Sequence, residues 1–144
     1  MTDIPLAGID TPIETSTHTN TSWTPTKRTT FVFCNFRQVG FHQWAGAPDQ
    51  YAYLRSKHRH EFHVRVQVAV NHDDRDMEFC HLKQIAQEAF RNMGVPTADG
   101  SLILGSQSCE MMARRLGSSL QAMGIQATSV EVSEDGENGA LVIL

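Results

Sequence analysis

At 144 residues, with 40% hydrophobic and 19% charged residues, the chain has the size and composition of one globular domain with its own core. A net charge of −4 and scattered Lys and Arg residues set it against a protein that works by neutralising phosphates, so nucleic acid is not the expected partner. Three widely spaced cysteines, Cys34, Cys80 and Cys109, argue against a disulfide framework, and no apolar run resembles a leader or reaches membrane-spanning length; the expectation is a cytoplasmic protein with no membrane partner.

Residues 1–29 differ from the rest. The stretch TSTHTNTSWTPTKRTT, from Thr15 to Thr30, has no apolar period and reads as a flexible Thr-rich arm ahead of a folded domain over 30–144. A first strand is predicted from Phe31 to about Trp44, with a bulge at Gly40. After a loop over 45–57, Phe62, Val64, Val66, Val68 and Val70 alternate with more polar neighbours, the period of a half-buried antiparallel strand. The aspartates of the Asn71–Asp76 turn suit a helix start, and Leu82, Ile85, Ala86, Ala89 and Phe90 recur at helical spacing up to Gly94-Val95-Pro96. A loop through Asp99-Gly100 leads to a second helix with the stripe Cys109, Met112, Ala113, Leu116, Leu120 and Met123. Strands over about 128–134 and 140–144, joined by an Asp135–Gly139 turn, close the chain. The expected fold is therefore α+β, in the order ββααββ, with a four-stranded antiparallel sheet and two helices on one face.

Side chains alternate along a strand, so His58 and His60 share the face of Phe62 and Val64, and Glu134 extends the row of Val130 and Val132. His42 lies near the end of the first strand. Three imidazoles at one end of a sheet are the ligand set of a catalytic zinc, its fourth position open to water or substrate. A His-x-His pair alone also fits an ordinary strand start, and Glu134 also fits an ordinary acidic hairpin turn; the third histidine raises the metal reading. A carboxylate that accepts two parallel N–H bonds suits the guanidine-like edge of a nitrogen heterocycle. His63, of opposite parity, is expected to face away from the metal. Tyr51, Tyr53, Arg55 and Lys57 precede the pair in a loop and either line a pocket or face solvent. Cys80 and His81 open the first helix, where capping or packing is expected, and Cys34 and Cys109 read as small core residues.

The stretches Gly40-Phe41-His42-Gln43-Trp44, His58-Arg59-His60-Glu61-Phe62, Glu78-Phe79-Cys80-His81-Leu82-Lys83 and Val130-Glu131-Val132-Ser133-Glu134 resemble motifs of the 6-pyruvoyltetrahydropterin synthase and 6-carboxytetrahydropterin synthase family, whose fold is the tunnelling T-fold. Ser106-Gln107-Ser108-Cys109-Glu110 is a looser match to the family's Pro-Thr-x-Glu. The resemblance spans about residues 31–144. It implies Zn2+ on His42, His58 and His60, a pterin or deazapurine-type ligand (a queuosine precursor among them) held by Glu134 and Glu110, and a homo-oligomer, trimer or hexamer.

Departures from the family pattern are as informative. The family's proton-transfer cysteine falls at Leu54, and its Asp-His pair falls within Phe90-Arg91-Asn92-Met93-Gly94, so no catalytic acid–base residue is assigned. Three readings stay open: a zinc-dependent lyase of the pterin synthase type, a non-catalytic pterin- or purine-binding relative, and an interaction subunit with structural zinc.

Overall fold

The computed structural model describes residues 28–144. All but the last two residues of the expected Thr-rich arm, Arg28 and Thr29, lie outside that range. The alternating row read from the sequence is the centre of the sheet. Strand β2 (His58–Val70) pairs antiparallel with β1 (Thr30–His42), from Thr30 opposite Val70 to His42 opposite His58. Helix α1 (Phe79–Arg91) follows, then β3 (Val95–Pro96), β4 (Leu102–Gly105), α2 (Cys109–Ala122), β5 (Ala127–Glu134) and β6 (Asn138–Ile143). A short 3-10 helix, Asp49–Leu54, lies in the loop between β1 and β2.

The α+β class and the ββααββ core hold, but the sheet is six-stranded and mixed, not four-stranded and antiparallel. Its order is β3-β4-β1-β2-β5-β6. β4 runs parallel to β1 and meets it only at the His42 end, with Gly40 opposite Leu102 and Phe41 opposite Ile103. The segment read as a loop through Asp99-Gly100 contains this strand. Two- and four-residue strands are too short to show a period, and Pro96 reads as a helix stop instead.

α1 lies over β1 and α2 over β5 and β6, with the helices touching each other. Between them and the sheet, Phe62, Val64, Val66, Val130 and Val132 meet Leu82, Phe90, Met112, Leu116 and Leu120, each 1% exposed or less. Burying one such side chain contributes about 1.5–3 kcal/mol. Phe36 and Phe90 meet edge to face, their centroids 5.9 Å apart. Met123, placed in the buried stripe by spacing, follows the last helical residue and is exposed. The opposite face of the sheet is open to solvent, with Arg65 stacked 4.0 Å over Phe33.

Two local expectations are corrected. The turn aspartates do not start α1: Glu78 is its N-cap, its carboxylate accepting from the Cys80 N–H. Asp73 instead accepts from the Thr30 hydroxyl and Asp76 from the Asn71 N–H. Gly40 makes no bulge against β2, since the β1–β2 ladder runs through it without a shift. A Cβ there would lie 2.7 Å from Leu104 Cδ1 and 3.3 Å from Phe62 Cε2, so the missing side chain lets β4 pack against β1. Among the described residues no helix is long and apolar enough to cross a membrane.

Candidate metal centre

The sheet register brings the three histidines together. His42 ends β1 and His58 opens β2 directly opposite it; His60 lies one alternation further on. Their ring centroids are 4.8 Å (His42–His58), 5.1 Å (His58–His60) and 5.4 Å (His42–His60) apart. One nitrogen from each ring lies within 4.8 Å of the others, close enough for one ion to be shared. Phe62 closes the site from below, its ring 5.1 Å from that of His42 and 5.7 Å from that of His60. His42 is buried, 7% exposed, and the other two rings are partly exposed.

Each ring is held by its other nitrogen. His42 Nδ1 meets the Gln107 carbonyl at 2.8 Å, His58 Nδ1 the Ser56 carbonyl at 2.8 Å, and His60 Nδ1 an Asp135 carboxylate oxygen at 2.7 Å. A carbonyl and an ionised carboxylate have no proton to give, so each Nδ1 carries the hydrogen and donates. That leaves Nε2 of each ring for another partner, which is how outer hydrogen bonds prepare metal-binding imidazoles.

The fourth group is Glu134, the last residue of β5, opposite Phe62. Its carboxylate oxygens lie 3.0 Å from His42 Nε2 and 3.5 Å from His60 Nε2. An anionic oxygen facing a nitrogen lone pair is repulsive unless a proton or a cation sits between them. Three imidazole nitrogens within 4.8 Å of one another, with a carboxylate beside them, therefore fit a divalent cation such as zinc, with Nδ1 already committed.

The unexpected strand β4 positions His42. The Gln43 N–H donates to the Gly105 carbonyl at 2.9 Å, setting the turn at 106–108 beside β1. Gln107 is then fixed by its side chain, which donates to the Met93 and Leu104 carbonyls at 3.0 Å each and accepts from Arg115. Its main-chain oxygen is held at His42. Neither Gln107 nor Asp135 was singled out from the sequence. No motif marks a main-chain acceptor, and Asp135 looks like a turn residue until the hairpin folds back on β2.

A cleft of about 430 Å³ opens beside the rings, lined by His42, His58, Trp44, Leu54, Glu110 and Glu134 among others. The two glutamates singled out from the sequence thus share one cavity with two of the histidines. A larger concavity, about 670 Å³, is lined by Arg37, His63 and Arg65. None of the three clustered histidines lines it, so the smaller cleft is the candidate site. His63 faces that other concavity, as its parity predicts, with Nε2 3.2 Å from Glu61.

Leu54, at the position where the sequence resemblance expects a proton-transfer cysteine, lines the cleft with an apolar side chain. Cys109 also lines the cleft, but burial, with Glu134 and Glu110 nearby, pushes its thiol up to about 12. Tyr51 and Tyr53 are exposed and stay out of the cleft lining, Arg55 is spent on the Ala47 carbonyl and Asp49, and Lys57 lies 5.4 Å over Phe41. Cys80 is exposed, and the Glu78 carboxylate beside it raises its thiol rather than activating it.

Comparison with models of known protein families gives no match, and neither does comparison with curated proteins. Solved structures do match. An uncharacterized protein from Wolinella succinogenes superposes with a TM-score of 0.58 at 15% identity, over 81% of this chain and 99% of that one. A 6-pyruvoyl tetrahydropterin synthase from Caenorhabditis elegans superposes with a TM-score of 0.56 at 9% identity, over 81% of this chain and 96% of that one. At these identities the likeness is one of fold: the chain is built like a 6-pyruvoyl tetrahydropterin synthase.

Proposed function

We propose that the chain is a zinc-binding protein of the 6-pyruvoyltetrahydropterin synthase type that takes a pterin or deazapurine-precursor compound in the cleft beside His42, His58 and His60. The observation that carries this reading is that one nitrogen from each of the three rings lies within 4.8 Å of the others while each Nδ1 is held by a hydrogen bond. Zinc bound there would supply Lewis-acid polarisation of a side-chain oxygen, as a carbon–oxygen lyase requires. Glu134, part-exposed at the cleft wall, would grip the ring through two charge-assisted N–H bonds, with Glu110 on the rim as a further contact. Phe62 packs below the rings and Trp44 lines the cleft beside them.

Leu54 favours a second reading, a non-catalytic binder. It occupies the cleft wall where the resemblance calls for a thiol, and an alkyl group moves no proton. Both readings share the metal and the anchor. Assembly as a trimer or hexamer is part of the proposal, supported by an edge strand, β6, whose Leu141 and Ile143 stand 58% and 71% exposed.

One experiment separates the readings. Purified protein is assayed for zinc, then incubated with dihydroneopterin triphosphate while triphosphate release is followed. About one zinc per chain with turnover supports the lyase. Zinc with tight pterin or guanine binding and no release supports the binder. Protein that takes up no zinc from a metal buffer sinks both.

A further inference from the structure

Asp135 is bonded to both Glu61 and His60, and the proposed function gives it no task. It follows Glu134 at the tip of the β5–β6 hairpin, with φ 56° in the left-handed region that Asn, Asp and Gly tolerate best. Its N–H donates to the Glu61 carbonyl at 2.8 Å, and its Oδ1 accepts from the Glu61 N–H at 2.9 Å. Its Oδ2 accepts from His60 Nδ1 at 2.7 Å. Its main chain and one carboxylate oxygen are both tied to Glu61, which aims the other oxygen at the imidazole.

We infer that Asp135 is the positioning residue of the metal centre, holding His60 as the Nδ1–H tautomer with Nε2 offered to the ion. The inference rests on the reading that the three histidines bind zinc. His42 and His58 lean on neutral carbonyls, whereas His60 alone leans on a charged acceptor, which makes its Nε2 the strongest donor of the three.

The test uses the full chain and the variants Asp135→Asn and Asp135→Gly. Both replacements tolerate a positive φ, so the hairpin is kept. Asn keeps one acceptor oxygen and cannot serve the Glu61 N–H and His60 together; Gly serves neither. Zinc affinity is read by competition with a chromophoric chelator. Ring tautomers in the metal-free protein are read by long-range proton–nitrogen NMR. The expected result is zinc binding weakened roughly 10- to 100-fold, the loss typical of an outer-shell partner. His60 alone should lose its fixed Nδ1–H form, while His42 and His58 keep theirs. Equal zinc affinity in wild type and both variants, with His60→Ala losing zinc, overturns the role of Asp135 and leaves the metal reading intact. All three rings disturbed alike overturns it in favour of a general hairpin role. A wild-type chain that takes up no zinc overturns the metal reading and this inference together.

Discussion

Glu134 and His42 sit on strands that are not neighbours, yet their side chains meet at 3.0 Å. β2 lies between β1 and β5, and strands two apart are separated by about 10 Å. The two side chains span that gap because both point to the face of His58, His60 and Phe62 and converge over the middle strand. Three strands thus contribute to one point, and the resulting donor set leads to separable expectations.

Removing a ring should cost the metal, and neutralising the carboxylate should cost the ligand. His42→Ala is expected to weaken zinc by more than the roughly 100-fold typical of losing an outer-shell partner. Glu134→Gln is expected to retain zinc but bind pterin or guanine roughly 10- to 150-fold less tightly, the worth of a hydrogen bond to a charged group at about 1.5–3 kcal/mol. Calorimetry on the zinc-loaded proteins measures the second effect. Unchanged pterin affinity in Glu134→Gln would remove the anchor role.

Leu54→Cys tests whether the cleft lacks only a proton carrier. Leu54 is part-exposed on the cleft wall, so a smaller thiol fits without strain. If the wild type binds pterin without turnover, the variant is expected to gain slow triphosphate release at most, since the Asp-His pair of the family pattern is absent too; a phosphate-coupled assay with added triphosphatase follows it. No gain in a variant that still binds zinc and pterin would mean that more than this group is missing.

Gly40→Ala is expected to cost about 1–3 kcal/mol, as overpacking does. The new methyl would stand 2.7 Å from Leu104 Cδ1 and 3.2 Å from the Leu102 carbonyl, forcing β4 away from β1. Urea unfolding measures the loss. Because β4 sets the turn that holds His42 through Gln107, zinc affinity should fall with it.

Asp99 contributes to acid sensitivity. The Thr97 hydroxyl and the Ser101 N–H bond the Asp99 carboxylate and lower its pKa from 3.8 to about 2. A folded-state pKa below the unfolded one gives stability that is present above pH 3.8 and lost as pH falls toward 2. Asp99→Asn should flatten the decline of the melting temperature across that window and leave its pH dependence above it unchanged.

Thiol labelling should find one site. Cys34 and Cys109 are buried and burial raises both thiols, while Cys80 is exposed at the start of α1. Native protein is expected to react with a disulfide reagent at Cys80 alone, and Cys80→Ser should abolish the reaction. Modification of Cys109 in the native state would show that the cleft opens more widely than its geometry implies.

The candidate site was legible in the sequence because it follows strand parity. His58, His60 and Phe62 share a row, and that row is fixed by the same alternation that builds the core. Glu134 was legible for the same reason, as the end of the Val130–Val132 row. What the sequence did not reveal depends on tertiary contacts or on segments too short to repeat. β3 and β4 have no period, Gly40 answers a neighbour sixty residues away, and the N-cap of α1 goes to Glu78 because the turn aspartates are already bonded elsewhere. Asp135 turns toward His60 only once β5 lies against β2.

The continuous β1–β2 ladder has a consequence for how errors in folding would show. Sliding β1 by a single residue against β2 would send Phe36 and Cys34 into water and swing His42 to the far side of the sheet in the same step. Core formation and the meeting of the three histidines therefore share one alignment, and a slip by an odd number of residues would spoil both. Zinc in the refolding buffer would favour the correctly aligned chain by mass action, about 2.7 kcal/mol at a hundredfold excess over its dissociation constant.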